Sequence, residues 1–295
     1  MQPSHSRAVV VMILVAFLWS TAGVVTRHLE EAKSFEVTFW RSFATVLSLL
    51  VILPALKGRA VFAGMLDGSK TFWASGLCWC CMFTFYMLAI TLTSVANVLV
   101  TLAIGPLVTA LFARIFLGQR LPFYTWVAIV AAGCGIAWMF GSQLLGASTS
   151  DNTVLGILVA LVVPITGGAN WTLVQRAQSK GMDLDLMPAV LVGAALSSLI
   201  MLPLAWPLKA TVHDVFLLGS LGLYQLAIPC TLAVWCARVL KAPEVSLLAL
   251  LEVPFGIVLV WLGANEAPDS AVLSGGALVI GALAANEFIG WRKRA

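Results

Sequence analysis

The sequence predicts an all-α polytopic membrane protein, with ten transmembrane helices forming two inverted five-helix repeats around a central cavity. Three observations predict it. Of the 295 residues, 61% are hydrophobic and 10% charged, with a mean hydropathy of +1.00. No soluble chain covers its apolar groups with that balance. Ten stretches are apolar over the roughly 20 residues that cross a bilayer. The second half also echoes the first at a displacement of 148 residues. That displacement sets Pro106 on Pro254, Gly133 on Gly281 and Ala137 on Ala285, with Leu99, Leu102 and Leu111 on Leu247, Leu250 and Leu259.

The first span, 8–26, follows a single basic residue, Arg7, and lacks a small-residue cleavage site. It is also too long for a signal-peptide core, so it reads as a mature helix. Spans at 35–56, 71–91, 94–116 and 122–140 complete a first repeat over 1–141. A polar linker, 142–153, separates it from a second repeat over 154–295, with spans at 154–176, 185–206, 214–236, 244–263 and 270–290 and a short basic tail. Five helices per copy make the second copy enter the membrane from the opposite side, which is the inverted repeat of transporters. Barrel strands, short and alternating, do not fit these runs.

Basic residues set the orientation. With the N-terminus cytoplasmic, the inner segments hold 13 of the 17 lysines and arginines, the outer ones hold Arg27, Lys33 and Lys209, and Arg41 lies inside a span. This predicts a multi-pass protein of the cell inner membrane with both termini in the cytoplasm. The net charge of +4 is the same asymmetry. No basic patch is interleaved with stacking aromatics, so nucleic acid is not an expected partner. The expected partners are the lipid bilayer and a small-molecule substrate, an amino acid or metabolite; monomer and homodimer are equally open.

Catalytic machinery is missing from the sequence. The six cysteines sit in apolar spans, where cysteine behaves as a small hydrophobe. Cys78 and Cys81 have CxxC spacing but no second pair or nearby histidine, so no metal site is expected. There is no HExxH, no GxSxG and no GxxxxGK[ST] loop. Neither an enzyme nor a cofactor is expected.

Two segments carry a family likeness: YMLAITLTSVANVLVTLAIGPLVTALFARIFLGQRL and its echo VLKAPEVSLLALLEVPFGIVLVWLGANE. They resemble the twin repeats of the drug/metabolite transporter superfamily, EamA branch. Tyr86, Ala89, Pro106, Leu117 and Gly118 match the branch's pattern in the first copy, and Pro254, Leu262 and Gly263 in the second. Glu266 is a displaced acid, and Gln119 stands where the pattern has glutamate. Trp40–Arg41 is similar to the family's helix-two arginine. Within the branch the chain looks most like the YddG-type aromatic amino-acid exporters. The resemblance implies transport by alternating access.

The residues point to a binding site independently. Paired interruptions in the two halves mark one, because freed backbone groups must face protein or a water-filled cavity. Thr21, Ala22 and Gly23 stand opposite Pro164, Gly167 and Gly168, Pro106 pairs with Pro254, and Pro229 marks the eighth span. A single proline is more often a packing kink; matched breaks favour a cavity. Near them lie Trp19, Trp79, Phe83, Tyr86 and Trp171, candidates for an aromatic lining, while Trp73 and Trp126 fit an interfacial belt. Ser20, Thr101 and Gln225 are candidate polar contacts that helix-to-helix hydrogen bonds would equally explain. Ala277, Gly281 and Ala285, spaced by four, read as a close-packing face.

Glu252 stands two residues before Pro254, where the first copy has apolar Ile104. A charge at the bilayer centre costs about 2.5–3.5 kcal/mol on insertion scales, so such residues face the protein interior. It is either a neutral acid bonded to backbone freed by Pro254, a ligand for a substrate ammonium, or a proton carrier. Arg41 reads as tied to a structural partner among its neighbours. With so few charges inside the spans, a phosphorylated cargo is disfavoured. Three functions are open: a secondary exporter of aromatic or bulky neutral amino acids, an exporter of lipophilic cations or drugs, and a non-transporting scaffold.

Overall fold

The computed structural model describes residues 4–26, 28–32, 34–62, 65, 69–93, 95–146, 151–181, 184–264 and 270–292. The regular elements among them are helical. The first half contains α1 (His5–Thr26), α2 (Ser34–Lys57), α3 (Lys70–Leu92), α4 (Val95–Leu102), α5 (Gly105–Leu117) and α6 (Phe123–Gly146). The second contains α7 (Asp151–Ser179), α8 (Pro188–Ala205), α9 (Val212–Leu221), a π-helical turn (Gly222–Ala227), α10 (Ile228–Cys236), α11 (Ala242–Ala249), α12 (Glu252–Ala264) and α13 (Ser270–Arg292). Among the described residues nine segments are long and apolar enough to cross a membrane, and Phe123–Met139 of α6 is a shorter apolar helix. The chain is an all-α, multi-pass membrane protein.

The breaks at the paired prolines have one cause. A proline ring collides with the carbonyl four residues earlier and cannot donate to it. For Pro106 that carbonyl belongs to Leu102, the last residue of α4; for Pro254 it belongs to Leu250, just past the end of α11. Both chains step across on tightened bonds of three-residue span, Ile104 N–H to Thr101 O (3.2 Å) in one and Leu251 N–H to Leu248 O (3.1 Å) in the other. Glu252 thereby becomes the first residue of α12.

Other expected interruptions are absent. α1 runs unbroken through Thr21–Gly23, with the Thr21 and Thr26 hydroxyls donating to carbonyls a turn back, and α7 runs unbroken through Pro164, Gly167 and Gly168. Those two glycines serve packing instead: a Cβ on Gly168 would press on Val108 and Thr109 of α5, and one on Gly167 would meet Met82 of α3. The helices α6 and α7 also run through most of the stretch read as a linker; residues 147–150 lie outside those described, as do Arg27, Lys33, Glu266, Lys293 and Arg294.

Small residues set the close helix pairs, as expected where lipid is as apolar as any side chain. Gly76 of α3 and Gly193 of α8 oppose one another, and a Cβ on Gly193 would strike Trp79. α6 and α13 meet through Gly135 and Gly275, each against the other's backbone. The face expected from Ala277, Gly281 and Ala285 is not this contact: all three are exposed, and open space surrounds Gly281. Spacing by four puts residues on one face but leaves open which way it turns.

Buried carboxylates staple the loops at one end of the bundle. Asp214 accepts the backbone N–H groups of Glu30 (2.8 Å), Glu31 (3.0 Å) and Ala32 (3.0 Å). Glu36 accepts those of Lys209 and Ala210 and the indole N–H of Trp40. At the opposite end Asp185 pairs with Lys57 and with Arg238, and His5 with Glu244.

Candidate functional site

Two opposite charges face each other inside the bundle. Arg41 sits two turns into α2 and is 4% exposed. α2 approaches the π-helical turn closely because Gly222 lies against the Arg41 carbonyl and Ala44, and the Thr45 hydroxyl donates to Gly222 O (3.0 Å). Glu252 enters from the break above α12, which packs on α1. The Arg41 guanidinium lies within electrostatic reach of Glu252, Tyr86 on α3 and Cys230 on α10.

Among the described residues neither charge makes a hydrogen bond or a direct ion pair, and the Arg41 Nε is buried without a partner. The bond from Glu252 to backbone freed by Pro254, one of the three readings of this acid, is therefore not made here. Glu252 and Tyr86 lie deep in the protein, yet each keeps part of its surface accessible.

The surroundings of the two charges are aromatic and polar. Trp19 of α1 lies beside Cys230, and its carbonyl accepts from Gln225 Nε2 (3.2 Å). Gln225 is buried in the π-helical turn with its Oε1 unpartnered; such turns recur at functional sites because they re-aim side chains.

Of the residues expected at a site, Trp19, Tyr86, Gln225 and Glu252 come together here. Trp79, Phe83 and Trp171 form a separate aromatic cluster, with Trp79 5.5 Å from Phe83 and 5.6 Å from Trp171 between ring centres. Phe83 links the two, since it lies on the α3 face shared by Trp79 and Tyr86. Ser20 donates to Phe17 O (2.6 Å) and Thr101 to Asn97 O (2.7 Å), so both hydroxyls are engaged within their own helices. Pro164 is buried beside Gly105.

Arg41 was not among the residues expected at the site. The one sequence signal was its standing as a cation well inside a span. The tie to neighbours on its own helix is not formed, and its charge faces α3, α10 and α12 instead.

The fold is that of a multi-pass membrane protein, and the proteins it is similar to are transporters. Residues 6–141 match the EamA-like transporter family. Over 281 residues, 92% of this chain and 93% of the relative, the sequence is 23% identical to the pseudopaline exporter CntI of Pseudomonas aeruginosa strain UCBPP-PA14. The same figures hold for the pseudopaline exporter CntI of strain PAO1. A solved crystal structure superposes with a TM-score of 0.73 over 99% of this chain and 100% of the other at 18% identity, a likeness of fold.

Proposed function

We propose that this protein is a secondary exporter of small amino acids or related metabolites, with aromatic and bulky neutral amino acids as its first substrates. The observation that carries the reading is Glu252, a partly accessible carboxylate inside the bundle without a hydrogen bond among the described residues, near Tyr86 and Arg41. A carboxylate among aromatics suits an ammonium group and an apolar side chain. The exporter relatives of Pseudomonas aeruginosa support export of a small metabolite, and the YddG-type resemblance supports an aromatic amino acid.

The mechanism proposed is alternating access between two inverted repeats, residues 1–141 and 154–295, with ten spans in all. Its support lies in matched packing. α1 against α12 corresponds to α7 against α5, α3 against α7 to α10 against α1, and α3 against α8 to the π-helical turn against α2. The excess of basic residues in the proposed inner loops supports an inner-membrane location with both termini cytoplasmic. A C-terminal fluorescent protein fusion is then bright and a C-terminal alkaline phosphatase fusion inactive; an active phosphatase overturns the orientation.

A second reading, export of lipophilic cations, draws on the same carboxylate and aromatics. Arg41 beside them disfavours it, since a lone cation would be repelled. Liposomes holding the purified protein, assayed with amino acids and with quaternary ammonium dyes, decide between the two. Uptake of phenylalanine, tryptophan or leucine is expected; uptake of the dyes alone sinks the amino-acid reading.

A further inference from the structure

The geometry points to Arg41 and Glu252 as the two poles of one recognition site for a zwitterion, with Arg41 holding the substrate carboxylate and Glu252 its ammonium. This rests on the exporter reading above and names the chemistry of its site.

The case begins with the isolation of Arg41. A guanidinium buried to this depth is costly unless charge and hydrogen bonds meet it, and its Nε meets none. Its backbone is fixed against the π-helical turn, since Gly222 lies against its carbonyl and Thr45, one turn on, is bonded to Gly222 O. The charge that balances it, Glu252, belongs to a different helix and stands too far off for a direct pair. Two charges of opposite sign, on different helices and without a hydrogen bond or direct pair among the described residues, call for a group that satisfies both.

The side chains set the polarity of that group. A guanidinium presents a planar fork of donors that a carboxylate matches with two parallel bonds. A glutamate carboxylate only accepts, and an ammonium only donates. A solute with one carboxylate and one ammonium on the same carbon, as in an α-amino acid, fits end to end. A simple cation meets Arg41, and a simple anion meets Glu252. Trp19 and Tyr86 flank the charged groups and would take the apolar remainder.

Phenylalanine is the probe, with its amide (ammonium only) and 3-phenylpropionate (carboxylate only) as competitors in liposomes holding the full chain. In the unmutated protein each single-charge analogue is expected to compete at least about tenfold more weakly, as loss of one charge-assisted bond implies. Arg41→Gln should lose phenylalanine uptake by a similar factor while the amide gains on it. Glu252→Gln should reverse that preference, favouring 3-phenylpropionate. Arg41→Lys, which keeps the charge without the fork, should fall between Arg41→Gln and the unmutated protein. Analogues that compete as well as phenylalanine, or variants that lower all three solutes equally, overturn the assignment of poles. Absence of amino-acid transport by the unmutated protein, with dye transport intact, instead overturns the exporter reading beneath it.

Discussion

Trp79 and Tyr86 lie two turns apart on one face of α3, and the structure gives them different tasks. Trp79 is 2% exposed, edge-on to Trp171 and pressed against Gly193. Replacing it with alanine leaves a cavity, a change that costs about 3–5 kcal/mol for large aromatics. Trp79→Ala is therefore expected to lower the melting temperature of the detergent-solubilised protein. Tyr86 is half-buried and faces Arg41 and Glu252. Tyr86→Ala should reduce phenylalanine transport several-fold with a much smaller loss of melting temperature. Equal losses of stability in the two variants would contradict the division. Sequence reasoning placed both at the site because mid-span aromatics facing protein, cavity and lipid look alike in a chain whose solvent is also apolar. Glu252 was legible for the opposite reason, since a charge at that depth has few places to go. Arg41 carried the same signal but was set aside, because nothing in the order of residues shows that its counter-charge comes from a helix more than 200 positions away.

At the scale of helices, the breaks at Pro106 and Pro254 were legible, whereas Pro164 sits inside an unbroken α7. Pro106 and Pro254 end α4 and α11 where their rings require it. The breaks inferred from Thr21–Gly23 and Gly167–Gly168 did not form, since glycine permits a helix to break but also permits a neighbour to come close, and here the second use won. The packing faces were less legible still. Gly222 and Gly281 make the contrast testable. A Cβ at Gly222 would sit 2.6 Å from both the Ala44 Cβ and the Arg41 carbonyl, whereas one at Gly281 would meet nothing. Gly222→Ala should destabilise by about 1–3 kcal/mol, as overpacking does, and lower transport as well by shifting Arg41. Gly281→Ala should leave both unchanged. Thermal unfolding in detergent and uptake in liposomes check the pair, and a harmless Gly222→Ala would show that α2 does not depend on the close approach.

In the whole molecule the proposed repeat carries an unrepeated candidate site. The displacement of 148 residues that sets Pro106 on Pro254 sets Glu252 on Ile104 and Arg41 on Ala189. The proposed repetition rests on matched positions; the candidate site lies where matching fails, so the same comparison points to it only through Glu252. The charge pair also bears on how the proposed carrier returns. With Glu252 ionised, the empty site holds one positive and one negative charge and is neutral in sum, and a bound zwitterion leaves that sum unchanged. Both forms can reorient without carrying net charge through the low-dielectric interior, so the carrier should return empty and export without obligatory exchange. Glu252→Gln removes one sign only. The empty variant then carries an uncompensated Arg41, and even a few kcal/mol against the reoriented state slows return by orders of magnitude. The filled variant suffers less, because the substrate carboxylate answers Arg41. With saturating phenylalanine on both sides, exchange by Glu252→Gln should therefore fall far less than net efflux into substrate-free buffer, whereas the unmutated protein performs both at comparable rates. Equal losses of exchange and efflux would mean that Glu252 acts in binding alone. An unmutated protein unable to export without exchange would remove the self-neutralising role altogether.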